Sequence, residues 1–175
     1  MKLKLRKNGF ALGVLFALGV MMSTNANAQM AKFEALYLYN ISRYVEWPAS
    51  FNSSNFVIGV VGYNPDLIDN LKAIAGSKTI QGKKVIIKPI SSVSQGSSCH
   101  ILFFSKGSES KLASYKEASK NSLLITKANG SLKRGADLNF FVANDKLKFE
   151  LSKGNIESKQ MNISTSLVQL AAKVI

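Results

Sequence analysis

The distribution of apolar and polar positions divides the chain into an opening segment and a folded body. Met1-Lys2-Leu3-Lys4-Leu5-Arg6-Lys7 is a basic head with no acid, Phe10 to Met22 is a short apolar run, and Ala26-x-Ala28 closes the segment with small residues. These are the three parts of a secretory signal peptide, and the run is shorter than the roughly 20 residues that span a bilayer. Cleavage is expected after Ala28, leaving residues 29–175 as one domain outside the cytoplasm.

Within that body, Phe33, Leu36, Tyr37, Asn40, Ile41, Tyr44 and Val45 recur at three- and four-residue spacing, which predicts a helix over 30–47 ended by Pro48. Its aromatic stripe suits core packing or a partner surface. Asn55 to Gly62 is a continuous apolar run and predicts a strand buried on both faces. After the Tyr63-Asn64-Pro65 turn, with Asn64 as cap and Pro65 in the first turn, Leu67, Ile68, Leu71 and Ile74 predict a helix that Gly76 stops. Further strands are predicted at Lys84–Ile90, Cys99–Ser105, Ser122–Thr126 and Leu138–Val142, with a helix over 108–119. Asn144-Asp145 predicts a hairpin turn into Lys146–Leu151, whose Leu147, Phe149 and Leu151 alternate with Lys146, Lys148 and Glu150. The end reads as helix interrupted near Asn162, with Ile163, Leu167, Leu170 and Val174 on one stripe. Strands alternating with helices predict an α/β fold: a single-domain three-layer sandwich whose mixed, mostly parallel sheet ends in an antiparallel hairpin and carries helices on both faces.

Charge changes the picture little. The chain holds 23 basic and 10 acidic side chains, and four of the basic ones lie in the signal segment. The body stays basic, but its lysines are scattered, and only Arg43 and Arg134 remain as arginines. Export and the scarcity of Arg argue against nucleic acid and leave a polyanion site as the minor reading beside a solvated surface.

Candidate chemistry is sparse. Cys99 is the only cysteine, so no intramolecular disulfide can form, and its apolar context predicts an inert buried thiol. His100 is the only histidine, on the strand face opposite Cys99. One His and one Cys do not make a zinc site, no serine sits in a nucleophile elbow, and the Gly62 turn lacks the three spaced glycines of a dinucleotide loop. No catalytic residue, metal or cofactor is assigned, and a protein without enzymatic activity is expected.

Five segments in order resemble the YfiR-type family of periplasmic signalling repressors: Tyr37-Leu38-Tyr39-Asn40-Ile41-Ser42-Arg43-Tyr44-Val45-Glu46-Trp47-Pro48; Ile58 to Pro65; Cys99-His100-Ile101-Leu102-Phe103-Phe104-Ser105; Leu138-Asn139-Phe140 with Phe149-Glu150-Leu151; and Met161 to Ala171. On that likeness Pro48, Gly62, Pro65, Cys99, His100, Asn139 and Phe149 are structural motif residues. The resemblance implies a non-enzymatic repressor that binds the periplasmic sensor region of an inner-membrane diguanylate cyclase, lowering cyclic di-GMP and biofilm formation. A small-molecule sensor working with a sensor kinase is the alternative. A homodimer is compatible with either. Gly135-Ala136 stands where the family often has Gly-Gly, and the lone Cys99 carries over no redox-sensitive disulfide. Tyr37, Asn40, Arg43, Tyr44, Glu46 and Trp47 are the expected interaction surface, because aromatics and Arg concentrate interface energy. Tyr63, Asn64 and Ser105, at strand C-terminal ends, are the expected pocket for a small ligand of unknown identity.

Overall fold

The computed structural model describes residues 27–51 and 53–175. The export segment expected over 1–28 therefore lies outside the described residues except for its last two, which are helical. Helix α1 runs over 27–42, shorter than expected. Its last turn tightens through Arg43 N–H to Asn40 O and Tyr44 N–H to Ile41 O. The chain then extends, and Val45–Glu46 forms a two-residue strand, β1.

The core strands are β2 (Asn55–Val61), β4 (Lys83–Ile90), β5 (Ile101–Phe104), β6 (Leu123–Thr126), β7 (Leu138–Ala143) and β8 (Lys146–Leu151), with short β3 (Thr79–Ile80), β9 (Asn162–Ile163) and β10 (Lys173–Val174). Eight of them form one sheet in the order β10-β8-β7-β6-β5-β2-β4-β3. From β4 to β7 neighbouring strands are parallel, and β7–β8 is antiparallel. The parallel part has the doubly wound order 2-1-3-4-5, whose reversal lies between β2 and β5. The helices are α2 (Pro65–Ala75), α3 (Val93–Gly96), α4 (Leu112–Ala118), α5 (Lys153–Glu157) and α6 (Thr165–Leu170).

Alternation along the central strands feeds two cores. Phe56, Ile58, Val60, Ile101, Phe103, Leu123 and Ile125 pack with α1, α2 and α6. Val57, Val61, Leu102, Phe104 and Leu124 pack with Leu112 and Tyr115 of α4. This is the expected mixed sandwich with helices on both faces. The hairpin turns at Asn144 and Asp145, with φ of 53° and 56°, and places Phe140 opposite Phe149. Among the described residues no helix is long and apolar enough to cross a membrane.

Two expectations need correction. The buried stripe of α1 is Ala31, Glu34, Ala35, Leu38, Ile41 and Ser42, continued by Val45. Two alanines let the helix backbone approach the sheet, and Glu34 is admitted by its ion pair with Lys127. The larger Phe33, Leu36 and Tyr44 consequently face outward. The closing helix is interrupted near Asn162 as expected, but by a strand, and it also ends in one. Asn162–Ile163 pairs antiparallel with Val45–Glu46, and Lys173–Val174 pairs parallel with Glu150–Leu151. These ladders satisfy backbone groups of β1 and of the β8 edge, so Ile163 and Val174 leave the helical stripe that Leu167 and Leu170 share.

Candidate functional site

The outward face of α1 forms one wall of a furrow. Tyr37 anchors it: its hydroxyl donates to Leu147 O at 2.8 Å, and its ring meets Phe140 and Phe149 edge-on at 5.9 and 6.4 Å. A cavity of about 160 Å³ lies between Tyr37, Asn40, Ile41 and Tyr44 on one side and Phe149, Leu167 and Leu170 on the other. Ser164 starts α6 by accepting from Leu167 N–H, and its own N–H donates to Tyr44 O at 2.9 Å, which fixes α6 against α1. A second cavity, about 380 Å³, continues past Tyr37 between Phe33 and the hairpin residues Asp145, Lys146, Leu147 and Lys148.

The rim of this furrow is apolar. Phe33, Leu36, Tyr44 and Leu170 are 43%, 38%, 38% and 64% exposed. Val142, on the same strand face as Phe140, and Val174, aligned with Leu151, add exposed apolar surface on the same side of the sheet. Arg43, Lys146 and Lys148 bring positive charge to its edges.

Of the expected interaction residues, Tyr37, Asn40 and Tyr44 meet in the furrow, with Arg43 exposed beside them. Glu46 is exposed on β1 opposite Asn162. Trp47 turns inward to a different place. Its Nε1 donates to His100 O at 3.1 Å, and its ring stands edge-on to Phe56 at 5.1 Å. Pro48 follows it, accepting from Phe51 N–H. Phe33, Leu36, Leu167, Leu170, Lys146 and Lys148 were not singled out for interaction from sequence. Phe33 and Leu36 share the spacing of the aromatic stripe, which suits core packing and a partner surface alike.

His100 is buried in that aromatic nest, stacked on Phe56 at 4.4 Å and edge-on to Phe51 at 4.7 Å. Its Nδ1 accepts from Val57 N–H at 3.1 Å, which puts the proton of the neutral ring on Nε2. Burial, and then the Lys83 ammonium, lower its pKa to about 4. Cys99 packs in the opposite core, and burial pushes its thiol up to about 11 against the attraction of Lys88. Asn139 is buried, accepting from Thr126 Oγ1 and donating to Glu150. Phe149 is core on one side and furrow wall on the other.

The expected ligand crevice lies at the ends of β2 and β5. Tyr63 is almost fully exposed, and Asn64 Oδ1 caps α2 by accepting from Leu67 N–H with Pro65 in the first turn. Gly62 adopts φ of 90°, and a side chain there would meet Ser108 Cβ at 3.0 Å. Ser108 Oγ lies within hydrogen-bonding reach of both Val61 O and Ser105 O, knitting the ends of β2 and β5 together over buried Ser105. Among the described residues, no three His, Cys, Asp or Glu side chains converge on a metal-sized site.

Comparison with known proteins agrees with this architecture. A conserved domain protein from Vibrio cholerae O1 biovar El Tor N16961 superposes with a TM-score of 0.53 at 14% identity, covering 83% of this chain and 60% of that one. An ABC domain from Streptococcus pneumoniae, solved in complex with L-Trp, superposes with a TM-score of 0.49 at 14% identity, covering 69% and 55%. The chain thus spans less than two thirds of either. The first likeness is one of fold. No curated protein sequence matches. Residues 31–172, from the first buried alanine of α1 to the edge of β10, match the DUF4154, YfiR/HmsC-like, description. The chain belongs to the YfiR/HmsC-like family.

Proposed function

We propose that this protein is a non-enzymatic periplasmic regulator that docks on the periplasmic sensor region of an inner-membrane diguanylate cyclase and holds it inactive. Residues 1–28 act as a cleaved signal peptide, and 29–175 work as one domain in the periplasm. Family membership supports the regulatory class. The observation that carries the docking role is the outward apolar face of α1 and α6, with Phe33, Leu36, Tyr44 and Leu170 around a furrow floored by Tyr37 and Phe149. Large apolar side chains exposed together in this way are costly to leave in water, which supports a protein contact on this face. Its aromatic centre and Lys and Arg edges follow the usual anatomy of an interface.

Repression is tested by deleting the gene and measuring cyclic di-GMP and biofilm mass. Both should rise, and both should fall again when residues 1–175 are restored. Unchanged cyclic di-GMP would count against cyclase repression and leave a sensor kinase as the membrane partner to test.

A further inference from the structure

A second concave site shares no residue with the furrow. It lies where the end of α4 meets the turn after α5, and Lys116, Glu117, Lys120, Asn121, Ser158, Lys159 and Gln160 enclose about 380 Å³. Three lysines line it with one carboxylate, Glu117, and a second carboxylate, Asp137, pairs with Lys159 from beneath. Lys159 is nearly buried, with 9% of its side chain exposed, and its Nζ donates to Asp137 Oδ2 at 2.5 Å and to Ser122 O at 3.0 Å. Those two bonds fix the ammonium and use two of its three donors. Asp137 also accepts from Leu124 N–H, so the pair is tied into the start of β6.

Lys116 packs close to the turn that precedes β7. Its stem lies over Gly135, where an added Cβ would come within 2.6 Å of Cδ and 3.1 Å of Nζ. Glycine at φ 103° makes that approach possible. Burial lowers the Lys159 pKa, the Asp137 carboxylate opposes that shift, and the Lys116 charge adds a smaller lowering. Like charges are thus gathered around open space. Gln160, on the rim, has φ of 59°, uncommon for a residue with a side chain.

We propose that this cavity binds a small soluble phosphomonoester, with its phosphoryl group among Lys116, Lys120 and Lys159. Among the described residues no carboxylate is bonded to Lys116 or Lys120 as Asp137 is to Lys159, and the third Lys159 donor remains to be satisfied, which suits a phosphoryl oxygen cluster. The cavity is larger than a phosphoryl group, and Asn121, Ser158 and Gln160 line the remainder, which suits a hydroxylated body over an aromatic one.

Calorimetric titration of the mature chain with glycerol 3-phosphate, and with glycerol as the uncharged control, tests this. Glycerol 3-phosphate should bind and glycerol should not. The Lys116→Gln/Lys120→Gln variant should lose at least about tenfold in affinity. Lys146→Gln/Lys148→Gln, on the hairpin, should bind as the unmodified chain does. Should Lys116→Gln disturb packing over Gly135, Lys120→Glu alone should weaken binding at an exposed position. Absence of heat with glycerol 3-phosphate, retained affinity in the Lys120 variants, or equal loss in the hairpin variant would each overturn the proposal. Co-sedimentation with phosphatidylglycerol vesicles in the absence of glycerol 3-phosphate binding would overturn it in favour of a lipid surface.

Discussion

Acidification from pH 7.5 to 5.5 should weaken the native state through His100. The ring is 2% exposed, stacked on Phe56, and accepts the Val57 N–H through Nδ1. Protonation would set a donor against that N–H and place a charge among Trp47, Phe51 and Phe56, with Lys83 adding repulsion. The pKa is lowered from 6.5 to about 4. The unfolded chain therefore takes up a proton below pH 6.5 that the folded chain refuses until about pH 4. The stability is fully present above the unfolded pKa and is lost as pH falls toward the folded one. The full window corresponds to roughly 3 kcal/mol at 1.36 kcal/mol per pKa unit. By pH 5.5 about one unit has been crossed, so about 1.3 kcal/mol should be lost. Stopping there keeps ordinary carboxylates ionised. Urea unfolding followed by the fluorescence of Trp47, the single tryptophan, measures the loss. His100→Asn keeps an acceptor for Val57 and removes the titration, so its stability should be lower but flat over this range. A wild-type protein with equal stability at both pH values, or an equal slope in His100→Asn, would refute the reasoning.

Other perturbations follow from the packing. Lys127→Met strands the buried Glu34 carboxylate beneath α1 and should cost about 3–5 kcal/mol in urea unfolding, while Glu34→Gln/Lys127→Met should recover part of it. Gly59→Ala places a Cβ 2.8 Å from Ile90 and Leu102 in the middle of the sheet and should destabilise by about 1–3 kcal/mol, read as a lower thermal midpoint. Cys99, buried with its thiol raised to about 11, should resist iodoacetamide at pH 8 in the native protein and react once urea unfolds it.

The sheet was legible because its signals are local. β2 and β5 are apolar at successive positions, as burial on both faces requires, and Asn144-Asp145 supplies the two left-handed residues of a tight hairpin. The rotation of α1 was not legible. Spacing placed Phe33, Leu36 and Tyr44 on one stripe with Ile41 and Val45 without separating inward from outward positions, whereas close approach to the sheet selected Ala31 and Ala35, and a partner 93 residues away made Glu34 a core residue. That same rotation builds the candidate docking face, of which Tyr37, Asn40 and Tyr44 were legible in the sequence while Phe33, Leu167 and Leu170 were not. An interruption near Asn162 was legible, but the strand pairings of Asn162–Ile163 with β1 and of Lys173–Val174 with β8 depend on distant partners that periodicity within the segment does not contain. The three lysines around the α4–α5 cavity are likewise brought together only by the fold.

The central claim, docking through the α1–α6 face, is tested most directly by complementing the gene deletion with a Tyr44→Glu/Leu170→Glu variant and measuring cyclic di-GMP. Both side chains are exposed, so the variant should accumulate and unfold like the parent. The account predicts that cyclic di-GMP stays as high as in the deletion strain. Full restoration of the low level by this variant would contradict it.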